Sequence, residues 1–580
     1  MRAAIRLAAW SERLVVGWRG PVLAALVVLA SALPGLVSLP PLDRDEARFA
    51  QATAQMLESS DYVNIRFQAE PRDKKPVGIH WLQAVSVRMV SSVERRDIWA
   101  YRLPSLLGAM LAAAACAWGA RGALGDRSGA LAGAILGASL LLSTEAFIAK
   151  TDAVLCGATT LSMAALARLY LAGRGGAPAP RSARLLFWLS QALGILVKGP
   201  IAPMVAGLAI LTLWIADRRA DWIRRLGWVW GLVLIAAVVG PWAVAITVST
   251  DGAFWSRAVV GDLAPKLAGG HETHGAPPGL HLMLSPLLMF PATVLLPAAL
   301  VFGWRRRSEP FVRFALAWLV PAWLVFELTP TKLVHYPLPV YGALAWLAAG
   351  ALTEDALSEG GARWTKRIGA VLSLLAGAAL AGACVWAAAT YGGPAAKGWG
   401  AAAAVLLFAA GAAGALATLR RDLRSGILAA GALGVAGHAA LAGGLAPSLD
   451  ALWLSKRAGD ALAAAGLDPR NGVTPGPVAV AGYSEPSIVF RLGTATELGD
   501  AATSANALAQ GRPALVERRQ EPALRAALAA SGAPARKVGE VAGFDYSNGE
   551  PATLGIWRGD PSISRDAGGD AGSPDPPTLR

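Results

Sequence analysis

Charged side chains that could do chemistry stand together in a few short segments of this sequence of 580 residues. The segment LDRDEARFAQ (42–51) carries Asp45, Glu46 and Arg48. A carboxylate in such a segment could act as a general base towards a hydroxyl group. Asp45 and Glu46 could instead only stabilise the positive end of the helix that follows them. The spacing of these residues leaves both roles open.

Two lysine-containing segments suit a bound phosphate. Lys74 and Lys75 precede a proline and the apolar run GIHWL. Adjacent lysines at a membrane surface bind anionic head groups, although long side chains at such a surface also extend to water without binding anything. Lys198 precedes Gly199 and Pro200 between two short apolar stretches. There, a bound phosphate and a plain turn are both consistent with the pattern.

Two further segments contain a candidate acid and candidate metal ligands. Asp152 follows Lys150 at the start of an apolar stretch, and an ionisable residue that enters a membrane is a functional hypothesis by default. A helix cap or an ion pair with Lys150 is the alternative. The segment HETH contains His271 and His274, a weak pattern for a zinc site. These histidines could equally be exposed to water.

The segment TKLVHYPLP (331–339) opens another apolar stretch. Its pattern predicts that Lys332, His335 and Tyr336 lie on or near one face of a helix. There they could close a site from the side opposite to the first segments. Ordinary anchoring of a helix by Lys and Tyr at a membrane interface is the alternative.

The composition indicates which elements must position these residues. The sequence is 54% hydrophobic and 16% charged, whereas soluble proteins carry about 25% charged residues. Its apolar stretches of roughly 20 residues are long enough to cross the hydrocarbon core of a bilayer. Water-soluble, disordered and fibrous classes are therefore excluded, and we expect an all-α polytopic membrane protein with about 13 transmembrane helices. The candidate spans are 20–39, 102–120, 128–148, 152–172, 184–198, 200–216, 226–249, 281–303, 311–328, 333–352, 367–390, 399–418 and 425–446.

The charge of the loops predicts the orientation of these spans. The net charge of +14 comes mostly from arginines in alternate short loops, as the positive-inside rule requires, and does not indicate a nucleic-acid partner. This pattern places the N-terminus in the cytoplasm and everything after Leu445 on the outer side of the membrane. All three cysteines fall in apolar stretches, so no disulfide framework is expected.

Two long outer segments define the expected domains. We expect a transmembrane domain at 1–446 that includes a charged first outer loop at 40–100, an extracytoplasmic α/β domain at 447–560, and a disordered tail at 561–580. The stretch 45–59 reads as an amphipathic helix at the membrane surface, with Phe49, Ala52, Met56 and Leu57 near one face. In the tail, the pattern predicts strands at 477–483, 487–493 and 553–559, and helices at 451–465 and 521–531.

Taken together, these segments resemble the C-type glycosyltransferases that use polyprenyl-phosphate sugars. They are similar in particular to the bacterial aminoarabinose transferases of lipid A and to the wider protein-mannosyltransferase-like group. The matching segments, in the order of the family, are DEARFAQATAQMLESSDYVNIRF (45–67), DKKPVGIHWL (73–82), KTDAVL (150–155), LVKGPI (196–201) and TKLVHYPLP (331–339).

The resemblance implies a reaction in which a sugar leaves a polyprenyl phosphate with inversion. The acceptor would be a lipid A-type glycolipid, another glycan or a protein, at the outer face of the inner membrane. The implied catalytic acids are Asp45, as base or as orienter of the acceptor, and Asp152. The implied ligands of the departing phosphate are Arg48, Lys75, Lys198 and Lys332, and the implied contacts to substrate are Glu46, Lys74, His274, His335 and Tyr336.

One position departs from the resemblance. The aminoarabinose transferases usually carry a glutamate before the Lys-Pro, as half of a proposed metal-binding pair with a histidine, but here that position is Lys74. The resemblance therefore implies neither a metal nor the aminoarabinose donor for this chain, and a divalent metal at His271 and His274 stays an open alternative. A transporter or lipid flippase is the alternative function, but its internal repeats and midplane charges are not evident in the sequence.

Overall fold

The computed structural model describes residues 15–176, 178–268, 275–353, 363–419, 423–469 and 476–559. The chain divides into two compact units. The first, here called the helical unit, comprises residues 1–39, 52–93 and 97–448. The second, here called the sheet unit, comprises residues 40–51, 94–96 and 449–580. The expected disordered tail lies outside the described residues.

Helices account for most of the chain up to residue 440, as the composition predicts. They are α1 (Arg19–Ser38), α2 (Asp45–Ser59), α3 (Gly78–Val90), α4 (Ile98–Ala138), α5 (Leu140–Glu145), α6 (Asp152–Ala172), α7 (Ser182–Lys198), α8 (Ile201–Asp217), α9 (Asp221–Arg224), α10 (Trp228–Ser249), α11 (Ala253–Trp255), α12 (Ala264–Ala268), α13 (Leu280–Leu288), α14 (Leu296–Arg305), α15 (Pro310–Leu328), α16 (Tyr341–Thr353), α17 (Arg363–Tyr391), α18 (Ala396–Leu419) and α19 (Leu423–Ala440).

Eight helices in the described part of the chain are long and apolar enough to cross a membrane, judged by length and composition. They are α1, α4, α6, α10, α15, α17, α18 and a continuation of α19 to Ser448. Three shorter apolar helices lie at Ile201–Asp217, Ala292–Arg305 and Leu338–Leu352. The prediction of a mainly helical membrane protein is confirmed.

Backbone breaks divide several of the predicted spans. A glycine with positive φ, Gly125, kinks α4 between two of them, and Gly199 (φ 62°) ends α7 before Pro200 begins the turn into α8. Glycine adopts such a conformation without a Cβ penalty. The prediction that 331–339 is helical is wrong, because helical geometry begins only at Leu338. Prolines at 330, 337 and 339 remove donors and disfavour helix in the residues before them.

Close contact between α4 and α6 fixes the position of the first residues of α6. A Cβ added to Gly108 would lie 2.6 Å from the Cα of Val154, and a Cβ added to Gly157 would overlap the carbonyl oxygen of Gly108. Small residues allow membrane helices to approach to this degree. The packing sets the depth at which Asp152, the first residue of α6, lies in the helical unit.

The predicted helix at 45–59 is confirmed as α2, at the predicted bounds, while its position at a membrane surface stays a prediction. All four residues of its predicted apolar face are buried: Phe49, Ala52, Met56 and Leu57. In the helical unit, the second half of α2 packs in a cluster with Ile65, Val77 and the aromatic Trp242. This cluster holds the loop after α2, which contains the two lysines at 74 and 75, against α7 and α10.

The sheet unit contains a five-stranded sheet with helices. Its strands are β3 (Ala479–Ala481), β4 (Glu497–Gly499), β5 (Ala514–Glu517), β6 (Ala535–Asp545) and β7 (Glu550–Gly559), in the order β4-β3-β5-β7-β6; β1 (Arg66–Phe67) and β2 (Glu70–Pro71) form a separate hairpin. Strand β3 pairs in parallel with both neighbours, and β7 pairs antiparallel with both of its neighbours. The helices are α20 (Leu454–Ala464), α21 (Pro486–Leu492), α22 (Ala501–Ala509) and α23 (Glu521–Ser531).

One predicted strand of the tail is a helix. The pattern correctly predicts β3, β7, α20 and α23, but the segment 487–493 forms α21. Pro486 stands in its first turn and Gly493 (φ 114°) ends it. Nearly every residue between them is buried, so the run shows neither helical nor strand periodicity, and short buried runs of this kind cannot be assigned from pattern alone.

Residues of the first outer loop belong to the sheet unit. The backbone N–H of Ser487 donates to Asp43 Oδ1 at 3.1 Å, and the backbone N–H of Asp43 donates to the Tyr546 hydroxyl at 2.6 Å. Burial and the nearby Glu485 carboxylate raise the pKa of Asp43 to about 7. Residues 40–51 are therefore structural members of the C-terminal unit, which their position in the sequence does not suggest.

Candidate active site

A cavity of about 350 Å³ lies in the helical unit and is lined by six separate segments of the chain. Its polar lining residues come from the loop after α2, the start of α6, the α7–α8 turn and the segment 253–268. The end of α15 and the loop before α16 complete the wall. The cavity thus collects most of the segments that the sequence singles out for chemistry.

Two residues of the cavity lining, Asp152 and Lys198, belong to a cluster of five ionisable side chains, here called the ionic cluster: Glu145, Lys150, Asp152, Lys198 and His335. Asp152 pairs with the Lys198 ammonium. The Asp152 carboxylate also lies 3.7 Å from Lys150 Nζ and 3.6 Å from His335 Nε2. Asp152 is therefore held by three cationic or potentially cationic groups from three segments.

Glu145 balances the second lysine of the cluster. Its Oε1 lies 3.0 Å from Lys150 Nζ and 3.7 Å from His335 Nδ1. The ion pair between Asp152 and Lys150, which the sequence left open as an alternative to a functional role, is present together with the contact to Lys198. Removing one partner of a buried pair leaves an uncompensated charge and costs about 3–5 kcal/mol. Glu145 is the member that sequence reasoning missed, although an acid inside an apolar stretch was a usable signal.

Lys75 differs from the lysines of the ionic cluster, because it has no hydrogen bond or ion pair to another described residue. It lines the cavity together with the exposed Lys74. Burial, together with the positive charges of Lys198 and Lys266, lowers the pKa of Lys75 to about 8. Asp262 and Asp152 are near enough to oppose this shift only in part. An ammonium that is largely shielded from water and has no ion pair among the described residues is stabilised by an anion, so this end of the cavity suits an anionic ligand.

The segment 253–268 supplies a further lysine and is tied to the lysine-containing loop. Lys266 Nζ lies 2.6 Å from Asp262 Oδ1, and Arg257 is paired with Asp73 at 2.6 Å. Lysines outnumber acids in the described lining of the cavity: Lys74, Lys75, Lys198 and Lys266 against Asp152 and Asp262. The electrostatics of the cavity therefore favour a negatively charged group.

The remaining lining of the cavity is apolar and extends away from the lysines. It includes Leu155, Ile201, Met204, Phe254, Trp255, Val259, Val325 and Phe326. An apolar wall that continues from a cationic end is complementary to a molecule with a charged head and a hydrocarbon chain.

The segment 331–339 contributes to the site in part. His335 joins the ionic cluster, and the ring of Tyr336 lies 5.5 Å from Lys198 Nζ, a cation–π distance. The Lys332 ammonium is buried and donates to the carbonyl oxygens of Ala276 and Thr329 at 2.8 and 2.7 Å. Lys332 is not among the residues that line the cavity, so its implied role in holding phosphate stays a prediction.

The acidic segment of the first outer loop lies in the sheet unit. Asp45 and Arg48 are exposed, and Asp45 stands in the first turn of α2. Glu46 is buried, and its carboxylate accepts the backbone N–H of Leu42 at 2.8 Å, a contact that satisfies an N–H at the start of the helix. Glu46 thus has a structural role, while the chemical roles of Asp45 and Arg48 stay predictions.

The candidate metal ligands His271 and His274 lie outside the described residues. Within the described ranges, no group of three His, Cys, Asp or Glu side chains could hold a metal ion.

The chain is similar in sequence to transferases whose names contain a lipid-phosphate sugar. Residues 74–244 match the family model described as dolichyl-phosphate-mannose-protein mannosyltransferase. An undecaprenyl phosphate-alpha-4-amino-4-deoxy-L-arabinose arabinosyl transferase of Aeromonas salmonicida is 30% identical over 334 residues, which are 56% of this chain and 59% of that protein. The protein of the same name from Pseudomonas paraeruginosa is 30% identical over 55% of this chain and 58% of its own length. The alignment therefore spans less than two thirds of these relatives.

Solved structures extend the comparison to nearly the whole chain. The crystal structure of ArnT from Cupriavidus metallidurans bound to undecaprenyl phosphate superposes with a TM-score of 0.70 at 20% identity, over 92% of this chain and 97% of that one. The chain has the ArnT fold. The apo structure of the same ArnT gives a TM-score of 0.69. The resemblance to polyprenyl-phosphate-dependent transferases, drawn from the sequence segments, is confirmed.

Proposed function

We propose that this chain is an integral-membrane glycosyltransferase that moves a sugar from a polyprenyl phosphate to an acceptor, with inversion. The observation that carries the proposal is the cavity of the helical unit, whose lysines surround one end of an apolar wall. A polyprenyl phosphate is such a molecule, since a single phosphate follows a long hydrocarbon. The donor named in the relatives' names and the undecaprenyl phosphate bound in the ArnT structure support this ligand class.

The cavity residues receive roles by their charges. Lys75 and Lys198 hold the phosphate that departs from the sugar, because positive charge stabilises the negative charge that develops on a leaving group. Asp152 keeps the Lys198 ammonium in place through their ion pair. Lys150 and His335 in turn contact Asp152, and Glu145 contacts both of them, so the phosphate end of the site is organised before the donor binds.

Asp45 is the proposed base or orienter of the acceptor, and this role rests on the resemblance of its segment. A hydroxyl acceptor would use a base, whereas a phosphate acceptor is already nucleophilic and would only need orientation. The acceptor class stays a lipid A-type glycolipid, another glycan or a protein.

We further propose that the chain crosses a bacterial inner membrane 13 times. Each of the thirteen apolar stretches of the sequence contains a helix or half of one, if α4 counts as two halves, its second half joins α5, and α13 joins α14. The helices α2, α3, α9, α11 and α12 lie outside these stretches. The N-terminus would then be cytoplasmic and the sheet unit would form an extracytoplasmic α/β domain. Loop arginines support this orientation.

The decisive experiment follows the release of free polyprenyl phosphate. The full chain is incorporated into nanodiscs with a panel of polyprenyl-phosphate sugars and membrane lipid extract. Release from one donor by the wild-type protein would establish transfer and identify the sugar. Asp45→Asn is expected to reduce release at least a hundredfold while donor binding is retained.

A matched control lies on the same helix. Glu58 is exposed in the last turn of α2, and Glu58→Gln removes one negative charge as Asp45→Asn does. Normal release in this control, with loss in Asp45→Asn, supports the role of Asp45. Absence of release from every donor by a folded wild-type protein would contradict the transferase and favour the transporter.

A further inference from the structure

A groove at the other end of α6 carries a separate cluster of positively charged side chains. It has a volume of about 850 Å³ and is lined by Arg181, Arg184 and Arg225, with Leu185 and Trp230 among its apolar residues. Helix α6 has 21 residues, so at 1.5 Å per residue this groove lies roughly 30 Å from Asp152. We propose that the groove binds an acidic glycerophospholipid at the cytoplasmic face of the membrane.

Among the described residues, no ion pair joins Arg181, Arg184 or Arg225 to an acid. The nearby Asp217 is fully buried and is already paired with Arg174 and Arg313. None of the described residues that line the groove is acidic. Arg184 Nε donates to the carbonyl oxygen of Arg225 at 2.9 Å, which holds the two guanidinium-bearing loops together and leaves the terminal amino groups of Arg184 available. Three guanidinium groups around one groove are complementary to a phosphodiester.

The apolar surface beside the groove continues along two helices. Leu185 and Leu189 on α7, and Trp230 and Val233 on α10, are each 40% or more exposed. Their spacing of four and three residues keeps each pair on one helix face, so two apolar tracks lead from the arginines towards the middle of the membrane. A free phosphate would use none of this surface, whereas a lipid with two acyl chains would cover it.

The position of the groove agrees with known lipid recognition. Basic pockets between transmembrane helices on the cytoplasmic side bind acidic head groups, and tryptophan is enriched at the head-group level. The site lies on the other side of the membrane from the proposed transfer reaction. Its occupant would therefore be a bound structural lipid, and this inference depends on the membrane orientation but not on the reaction.

The test compares lipid affinities of the full chain after delipidation in a neutral detergent. Binding of phosphatidylglycerol, phosphatidylcholine and inorganic phosphate is measured separately by native mass spectrometry and calorimetry. We expect phosphatidylglycerol to bind more tightly than phosphatidylcholine. The double variant Arg181→Gln/Arg225→Gln is expected to weaken phosphatidylglycerol binding on the order of thirtyfold, since each basic residue near a lipid surface contributes about a factor of five.

A control variant separates the groove from general surface charge. Arg219→Gln/Arg224→Gln removes the same charge from exposed arginines at the same end of the helices, and neither residue lines the groove. Unchanged affinity in this control, with loss in the groove variant, supports the proposal. Three results would overturn the proposal. They are an equal loss of affinity in both variants, equal binding of the two lipids, and competition by inorganic phosphate at the same concentration as the lipid.

Discussion

Lys75 and Lys198 line the same cavity but differ in their partners. Lys198 is paired with Asp152 and lies over the ring of Tyr336, so its charge is compensated before any ligand binds. Lys75 has no such partner in the described part of the chain, and its pKa is lowered to about 8. An incoming phosphate would therefore gain its largest electrostatic benefit at Lys75.

The affinity for polyprenyl phosphate should accordingly depend on pH. A phosphate favours the charged form of Lys75, so affinity is expected to fall about tenfold for each pH unit above about 8. Unfolding of the protein would not produce the same pH dependence. The pKa of Lys75 is lower in the folded state than in the unfolded state. The contribution of Lys75 to the free energy of unfolding therefore rises as the pH increases from about 8 to the ordinary pKa of lysine.

Titration of undecaprenyl phosphate into the nanodisc-embedded chain at a series of pH values measures this dependence. Lys75→Arg is the matched control, because arginine stays charged over the whole pH range. The affinity of this variant for undecaprenyl phosphate should therefore be nearly constant. The same slope in both proteins would show that another group is responsible.

At the scale of elements, the site depends on where helices begin and how closely they approach. The first residue of α6 is Asp152, and the contact of Gly108 with Val154 and Gly157 fixes α6 against α4. The break at Gly199 places Lys198 at the end of α7, where it reaches Asp152. Glycines that carry no chemistry thus position the side chains that do.

Gly157→Ala is expected to disturb this arrangement. The added methyl would overlap the carbonyl oxygen of Gly108, and overpacking of this kind costs about 1–3 kcal/mol. We expect a lower midpoint of thermal unfolding and weaker binding of polyprenyl phosphate. Gly207→Ala on α8 is the control, because its added Cβ would meet no atom within 4 Å. Equal stability of the two variants would disprove the importance of the α4–α6 contact.

In the helical unit as a whole, two groups of charged side chains lie at opposite ends of α6. The ionic cluster lies at the start of α6, and the arginines of the groove, with the Asp217 pairs, lie near its end. Under the proposed orientation the first set faces the periplasmic side and the second the cytoplasmic side. The positive-inside rule explains the abundance of arginine at the second end but not the acids of the first.

Cysteine labelling tests this orientation. The native cysteines Cys116, Cys156 and Cys384 are buried, so labelling at an introduced cysteine is measured against a low background. With a membrane-impermeant maleimide added to intact cells, we expect reaction at Asp450→Cys and none at Arg306→Cys; both positions are exposed. The reverse pattern would contradict the proposed topology.

The helical membrane class, the apolar stretches and the helix α2 follow from the sequence alone, because burial in lipid requires long apolar runs and the apolar residues of 45–59 recur at helical spacing. The sequence also selected the segments around 74, 152, 198 and 335 as chemically unusual, since charges next to a membrane are costly. Its errors were local: the buried run at 487–493 has no period, and prolines prevent helix before Leu338.

Which of these charges meet depends on how the helices pack in three dimensions. Glu145, Asp152, Lys198 and His335 come from four segments separated by up to 190 residues of chain, and their pairing depends on the helix packing at Gly108 and Gly157. Neither spacing nor composition encodes such long-range contacts. The same is true of Lys75, whose lack of a partner follows from the arrangement of the lysines around the cavity, and of residues 40–51, which fold with the C-terminal sheet.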